Sequence, residues 1–157
     1  MSANPAGRKI YFEDCKVGDR HNTVSIKVEK QEVIDFARQW DPQPWHIDEA
    51  LAKQSLFAGL TACTAHIFSI FSILSQQWEN GEQQQALASL GFDEMRMIKP
   101  VYAGDTLYCR CTIETARASR SKTDRGIVAT RCELINQQGD AVFSILSTYL
   151  MAKRVAE

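Results

Sequence analysis

Asp41 and His46 put a carboxylate and an imidazole five residues apart within Asp41-Pro42-Gln43-Pro44-Trp45-His46-Ile47-Asp48. Such a pair can move protons at one point, one group taking a proton from water while the other delivers one to carbon. Each proline fixes its own φ near about −65° and pushes the residue before it toward extended backbone, so the spacing predicts a stiff loop held out of a helix. A stiff loop aims both groups with little reorganisation. The same residues also have a plainer use: an aspartate just past a helix end accepts backbone N–H bonds in a turn, and a loop histidine bridges two carbonyls. Asp48, two residues on, reads as the cap of the next helix, where free N–H groups and the dipole favour a carboxylate. Gln43 is a secondary candidate, able to donate to a substrate or to the loop backbone.

The elements that must hold this loop are legible from periodicity. Residues 22–29 alternate, with Val24, Ile26 and Val28 on one side, the pattern of a half-buried strand. Val33, Phe36, Ala37 and Trp40 then recur at helical spacing and predict an amphipathic helix that delivers the chain to Asp41. Residues 48–55 follow as a short helix carrying Ala50, Leu51 and Ala52. In residues 61–78, Ile67, Phe68, Ile70, Phe71, Ile73 and Leu74 leave almost no polar face, which predicts a helix of roughly 27 Å surrounded by protein. His66, Ser69, Ser72 and Ser75 interrupt its apolar surface and no polybasic flank adjoins it, so no membrane span is expected. Residues 90–98, 106–116, 126–136 and 141–153 read as successive strands, the first with the weakest alternation. Leu107, Cys109, Cys111 and Ile113 share one face of the second, and Val128, Thr130, Cys132 and Leu134 one face of the third. Asn136-Gln137-Gln138-Gly139-Asp140 predicts a hairpin turn with Gly139 at positive φ. One strand, a helical middle and four strands give an α+β fold, an antiparallel sheet wrapped around a central helix.

Composition narrows the function classes. A chain of 157 residues with 45% hydrophobic and 24% charged residues is expected to form one globular domain across 1–157, with residues 10–153 as its ordered core. A net charge of −1 gives no basic footprint for nucleic acid. Arg117, Arg120, Lys122 and Arg125 read as a solvated hairpin loop, with the phosphates of coenzyme A or an acidic carrier protein as the alternative partner. The five cysteines follow no Cys-x-x-Cys pattern, so disulfides and a zinc ribbon are not expected. Cys109 and Cys111 read as small hydrophobes on the buried face of a strand, the alternative being a redox or metal role. Residues 1–9 are polar and contain a proline without the apolar stretch of a signal peptide, so a cytoplasmic location is expected.

The loop and its surroundings resemble the MaoC-like dehydratase family, which includes the (R)-specific enoyl-CoA hydratases. Asp41, Pro44, His46 and Asp48 match the family's Asp-x-Asn-Pro-x-His-x-Asp motif, with Gln43 where the better-known hydratases carry Asn. Phe57-Ala58-Gly59-Leu60, Lys99-Pro100-Val101-Tyr102-Ala103-Gly104-Asp105 and the 136–140 turn extend the resemblance over most of residues 10–153. It implies the hot-dog fold, a homodimer or a multiple of one, and hydration of a 2-enoyl-CoA or the reverse dehydration of a 3-hydroxyacyl-CoA in fatty acid metabolism. It also implies Asp41 and His46 as the acid–base pair. In the hydratases an oxyanion-binding N–H comes from a glycine eighteen positions after the histidine, where this chain has Thr64. Gly59 and Cys63 stand as substrate-binding candidates beside it, and Ser72 falls where the hydratases have a pocket serine. The substrate would be an acyl-CoA or acyl-carrier thioester, coenzyme A entering only as part of it, with no metal or other cofactor. The same fold supports thioesterases, and departures at Gln43 and Thr64 leave room for a non-catalytic thioester-binding or assembly subunit.

Overall fold

The computed structural model describes residues 7–155. In chain order it comprises β1 (Lys9–Ile10), β2 (Arg20–Lys27), α1 (Lys30–Trp40), α2 (Pro44–Ile47), α3 (Glu49–Gln54), α4 (Thr64–Leu74), β3 (Gln83–Gln84), β4 (Ala86–Met97), β5 (Thr106–Ala118), β6 (Arg125–Ile135) and β7 (Ala141–Ala152). The sheet runs β2-β5-β6-β7-β4, antiparallel throughout, with α4 packed on one face. This is the α+β arrangement expected of the hot-dog fold.

Alternation makes the centre of the sheet. The inward residues of β5 and β6, Leu107 to Ile113 and Val128 to Leu134 at every second position, are all 4% exposed or less. The β6–β7 hairpin closes as expected, with Gly139 at φ +83° and the Asn136 carboxamide oxygen accepting from the N–H groups of Gln138 and Asp140 at 3.0 Å. At the β5–β6 tip Arg125 pairs with Asp124, its neighbour in the exposed basic loop, at 2.8 and 2.9 Å.

Ile67, Ile70, Phe71 and Leu74 lie on one stripe of α4 and pack onto Leu107, Leu134, Phe143 and Ile145. Burying each such side chain is worth about 1.5–3 kcal/mol, which fixes α4 on the sheet. The helix is shorter than the apolar run suggested, with 11 residues. Residues 60–63 are instead extended and joined to the 101–103 loop, Ala62 N–H donating to Val101 O at 2.9 Å and Ala103 N–H to Leu60 O at 3.0 Å. At the other end the Ser75 hydroxyl and Gln76 carboxamide take the Ser72 carbonyl, and Trp78 turns back to bridge Thr23. Ser69, Ser72 and Ile73 are exposed, so one flank of α4 is uncovered.

Two side chains face the opposite way from their predicted direction. Val24 is 39% exposed because β2 changes register between Asn22 and Ser25, which turns Thr23 inward, where its hydroxyl accepts from Cys109 N–H at 2.8 Å. Trp40 is 66% exposed, since α1 rests on Val33 and Ala37 and the chain turns away at Asp41.

His66, on α4, carries a buried imidazole. Its ring lies parallel to Phe36 with centroids 4.6 Å apart, and Nδ1 has no hydrogen-bond partner among the described residues. Burial depresses its proton affinity below the ordinary 6.5, against a weaker upward pull from Glu32. The unfolded chain therefore takes up this proton first as pH falls, so the stability tied to the neutral ring is complete above 6.5 and is lost below it. Urea denaturation of wild type should weaken with falling pH more steeply than that of His66→Phe, and parallel profiles would contradict this origin.

Candidate active site

α1 ends at Trp40, and Asp41 N–H closes its last turn on Ala37 O at 2.8 Å. Asp41 is half-buried and its carboxylate makes no hydrogen bond among the described residues, so it is not occupied as a turn cap. Asp48 is so occupied, accepting Leu51 N–H at 2.9 Å to open α3. Between them the two prolines act differently. Pro42 keeps the chain extended, whereas Pro44 takes the first position of the single turn α2, where a missing N–H costs nothing. His46 thus sits on a helical turn, not on the irregular loop the prolines suggested, with its N–H on Gln43 O at 2.9 Å.

The imidazole is held from two sides. Nδ1 lies 2.6 Å from Thr61 O, and a carbonyl only accepts, so Nδ1 carries the proton and Nε2 presents the lone pair. Trp45 Nε1–H donates to that Nε2 at 3.1 Å. Thr61 is placed by the same 60–62 to 101–103 pairing that shortens α4, and Asp105 stiffens the pairing by accepting Tyr102 N–H at 2.9 Å and Gln137 Nε2–H at 2.9 Å. The Lys99 to Asp105 motif therefore supports His46 through Thr61. Neither Thr61 nor Trp45 was singled out in the sequence, and the adjacency of Trp45 to His46 is the only signal that pointed to either.

His46 and Thr64 line one cleft of about 230 Å³, together with Phe57, Ile67, Met97 and Val101. Thr64 is the first residue of α4, so its N–H is among those a helix leaves without an internal partner. Cys63 precedes it at the cap, 1% exposed; burial pushes its thiol up, opposed by N–H groups of His66 and Ala65, and the Asp41 carboxylate adds to the rise. Asp41 itself does not line this cleft. Three candidates lie elsewhere. Gln43 is exposed and engages His46 through its backbone carbonyl only. Gly59 sits against Tyr102, where an added Cβ would come within 3.3 Å of two ring carbons, and its part is close packing. Ser72 lines a different cavity, of about 500 Å³, with His21, Trp78 and Tyr149.

The profile of the MaoC like domain matches residues 14–134, from before β2 to near the end of β6. The chain belongs to the MaoC-like domain family. It is 30% identical over 152 residues to the mesaconyl-CoA hydratase of Cereibacter sphaeroides, spanning 95% of this chain and 42% of that protein. The MaoC-like dehydratase of Rhodospirillum rubrum superposes with a TM-score of 0.86 at 31% identity, covering 94% of this chain and 99% of the other. A double hot-dog protein of Mycobacterium tuberculosis superposes with a TM-score of 0.77 at 16% identity over 95% of this chain and 46% of its own, a likeness of fold. This MaoC-like domain thus has the hot-dog fold.

In this MaoC-like domain a water or substrate oxygen reaching Nε2 competes with the Trp45 N–H. Trp45→Phe keeps the ring and removes that donor. It is expected to retain or raise kcat/KM with thioester substrates, and a loss beyond about a hundredfold would make the indole N–H a required group.

Proposed function

We propose that this MaoC-like domain is a hydro-lyase that adds water to a 2-enoyl thioester, or removes it from a 3-hydroxyacyl thioester, with the (R) configuration at C3. The observation that supports this reading is the Nδ1–H bond to Thr61 O, which turns Nε2 of His46 toward a cleft that Thr64, the first residue of α4, also lines. Water held by His46 and Asp41 loses a proton to the pair and its oxygen bonds to C3. The electrons of the double bond move onto the thioester oxygen, where the Thr64 N–H accommodates the negative charge, and a proton from the pair then reaches C2. Coenzyme A, or an acyl carrier, enters as part of the substrate, and the reaction needs no other cofactor. We place the protein in the cytoplasm, where such thioesters are made; no helix among the described residues is long and apolar enough to cross a membrane.

A binding subunit without turnover is the second reading, and the Trp45 N–H already seated on Nε2 favours it. Incubation with 2-enoyl-CoA and saturated acyl-CoA thioesters of several lengths separates the cases. Loss of enoyl absorbance with the thioester intact supports the hydro-lyase, release of free thiol selects a thioesterase, and thioester binding without either selects the binding subunit.

We also propose a homodimer or a multiple of one. β4 is one of the two edge strands of the sheet, and Leu87, Leu90, Phe92, Met95 and Met97 along it are each at least 40% exposed. Ile73, on the uncovered flank of α4, is exposed as well. Light scattering at micromolar concentration should give at least twice the chain mass, and Phe92→Glu should shift it to the monomer. A wild-type monomer contradicts the proposal.

A further inference from the structure

We propose that Cys109, Cys111, Cys132 and His21 form a binding site for one Zn(II) ion, separate from the His46 cleft. Strand register brings these residues together. His21 on β2 pairs with Cys111 on β5, and Cys111 pairs with Cys132 on β6, so an imidazole and two thiols form a row across three adjacent strands. Cys109 is two residues before Cys111 and so joins the same inward face. The Cys109 and Cys111 sulfurs are 3.6 Å apart, those of Cys111 and Cys132 3.2 Å, and all three lie within 4.8 Å of one another. Tetrahedral zinc with Zn–S bonds of about 2.3 Å needs sulfurs about 3.8 Å apart, so the two close pairs need open by only about 0.2–0.6 Å, within reach of small χ1 rotations.

Only the three thiols lie within 4.8 Å of one another; the His21 imidazole, level with Cys111 across the strands, must swing toward them to complete a structural zinc set of three thiolates and one imidazole. Metallation releases three protons and leaves one net negative charge, the neutral imidazole adding none. Thiols packed in a closed core have no route for an ion, but these have one. Cys111, Cys132 and His21 border the cavity of about 500 Å³ that also holds Ser72 and Tyr149, and this cavity shares no lining residue with the His46 cleft. His21 is kept in place by its stack on Trp78, with ring centroids 3.4 Å apart. The hydration chemistry uses none of these four side chains.

The test is titration of the reduced, folded full chain with Zn(II), read by native mass spectrometry, and with Co(II), read by visible absorption. The expected result is one ion per chain at micromolar concentration, with the intense spectrum of thiolate-bound tetrahedral Co(II). Cys111→Ala should abolish binding, His21→Phe should keep the ring stack and weaken binding at least tenfold, and Cys15→Ala, outside the cluster, should leave it unchanged. Should Cys111→Ala fail to fold, wild type and His21→Phe still decide. No ion on the reduced wild type overturns the proposal, as does binding unaffected by either variant. A Cys111–Cys132 disulfide that forms in air on a protein that binds no ion after reduction overturns it equally.

Discussion

Asp41→Asn and His46→Gln are each expected to lower enoyl-thioester hydration at least about a hundredfold, equivalent to about 2.7 kcal/mol of barrier, while leaving the fold intact. The second half of that expectation comes from the hydrogen bonds. The Asp41 carboxylate has no partner among the described residues, so the amide costs the fold almost nothing and the loss must fall on chemistry. Gln at position 46 can still donate to Thr61 O, replacing the Nδ1–H bond, but offers no basic nitrogen in place of Nε2. Circular dichroism and denaturation midpoints close to wild type, beside steady-state rates with a 2-enoyl-CoA, check both halves. Near-native rates in both variants would remove the acid–base assignment.

Thr64 tests the oxyanion half of the mechanism. If the main chain carries the function, Thr64→Val changes the rate little and Thr64→Gly preserves or raises it toward bulky acyl groups. Thr64→Pro deletes the N–H and is expected to cost about 10²–10³ in kcat, the usual effect of losing one oxyanion donor. Proline suits this position because Thr64 is the first residue of α4 and Cys63 is extended at ψ 159°, the backbone a residue before proline adopts. A large loss in Thr64→Val, with Thr64→Gly equally impaired, would assign the role to the hydroxyl.

Period-2 alternation made β5 and β6 readable because one face of each is buried completely, and the turn residues of 136–140 then set the β6–β7 hairpin. The length of α4 was not readable. An apolar run looks the same whether its backbone bonds to itself or, as at residues 60–62, to a distant loop. A register shift in β2 reversed Val24, and such a shift leaves no periodic trace. In the site, residue type and spacing singled out Asp41 and His46 as candidates, and the structure places His46 on the cleft. The support was not, because Thr61 reaches His46 across 15 residues through a carbonyl that every residue possesses. Ser72 shows how linear counting fails on a helix. Eight residues past Thr64 is about 2.2 turns, which leaves Ser72 rotated roughly 80° from it and facing the other cavity. The meeting of His21, Cys111 and Cys132 depends on the register of three strands, which no segment of the chain specifies alone.

Reaction of a short 2-enoyl-CoA in heavy-oxygen water, followed by mass spectrometry of the product, tests water addition most directly. The account predicts an intact thioester that has gained one labelled water, with the heavy oxygen at C3, formed at least about a hundredfold more slowly by His46→Gln. A labelled free carboxylate with released thiol, or an unchanged enoyl thioester, would contradict it.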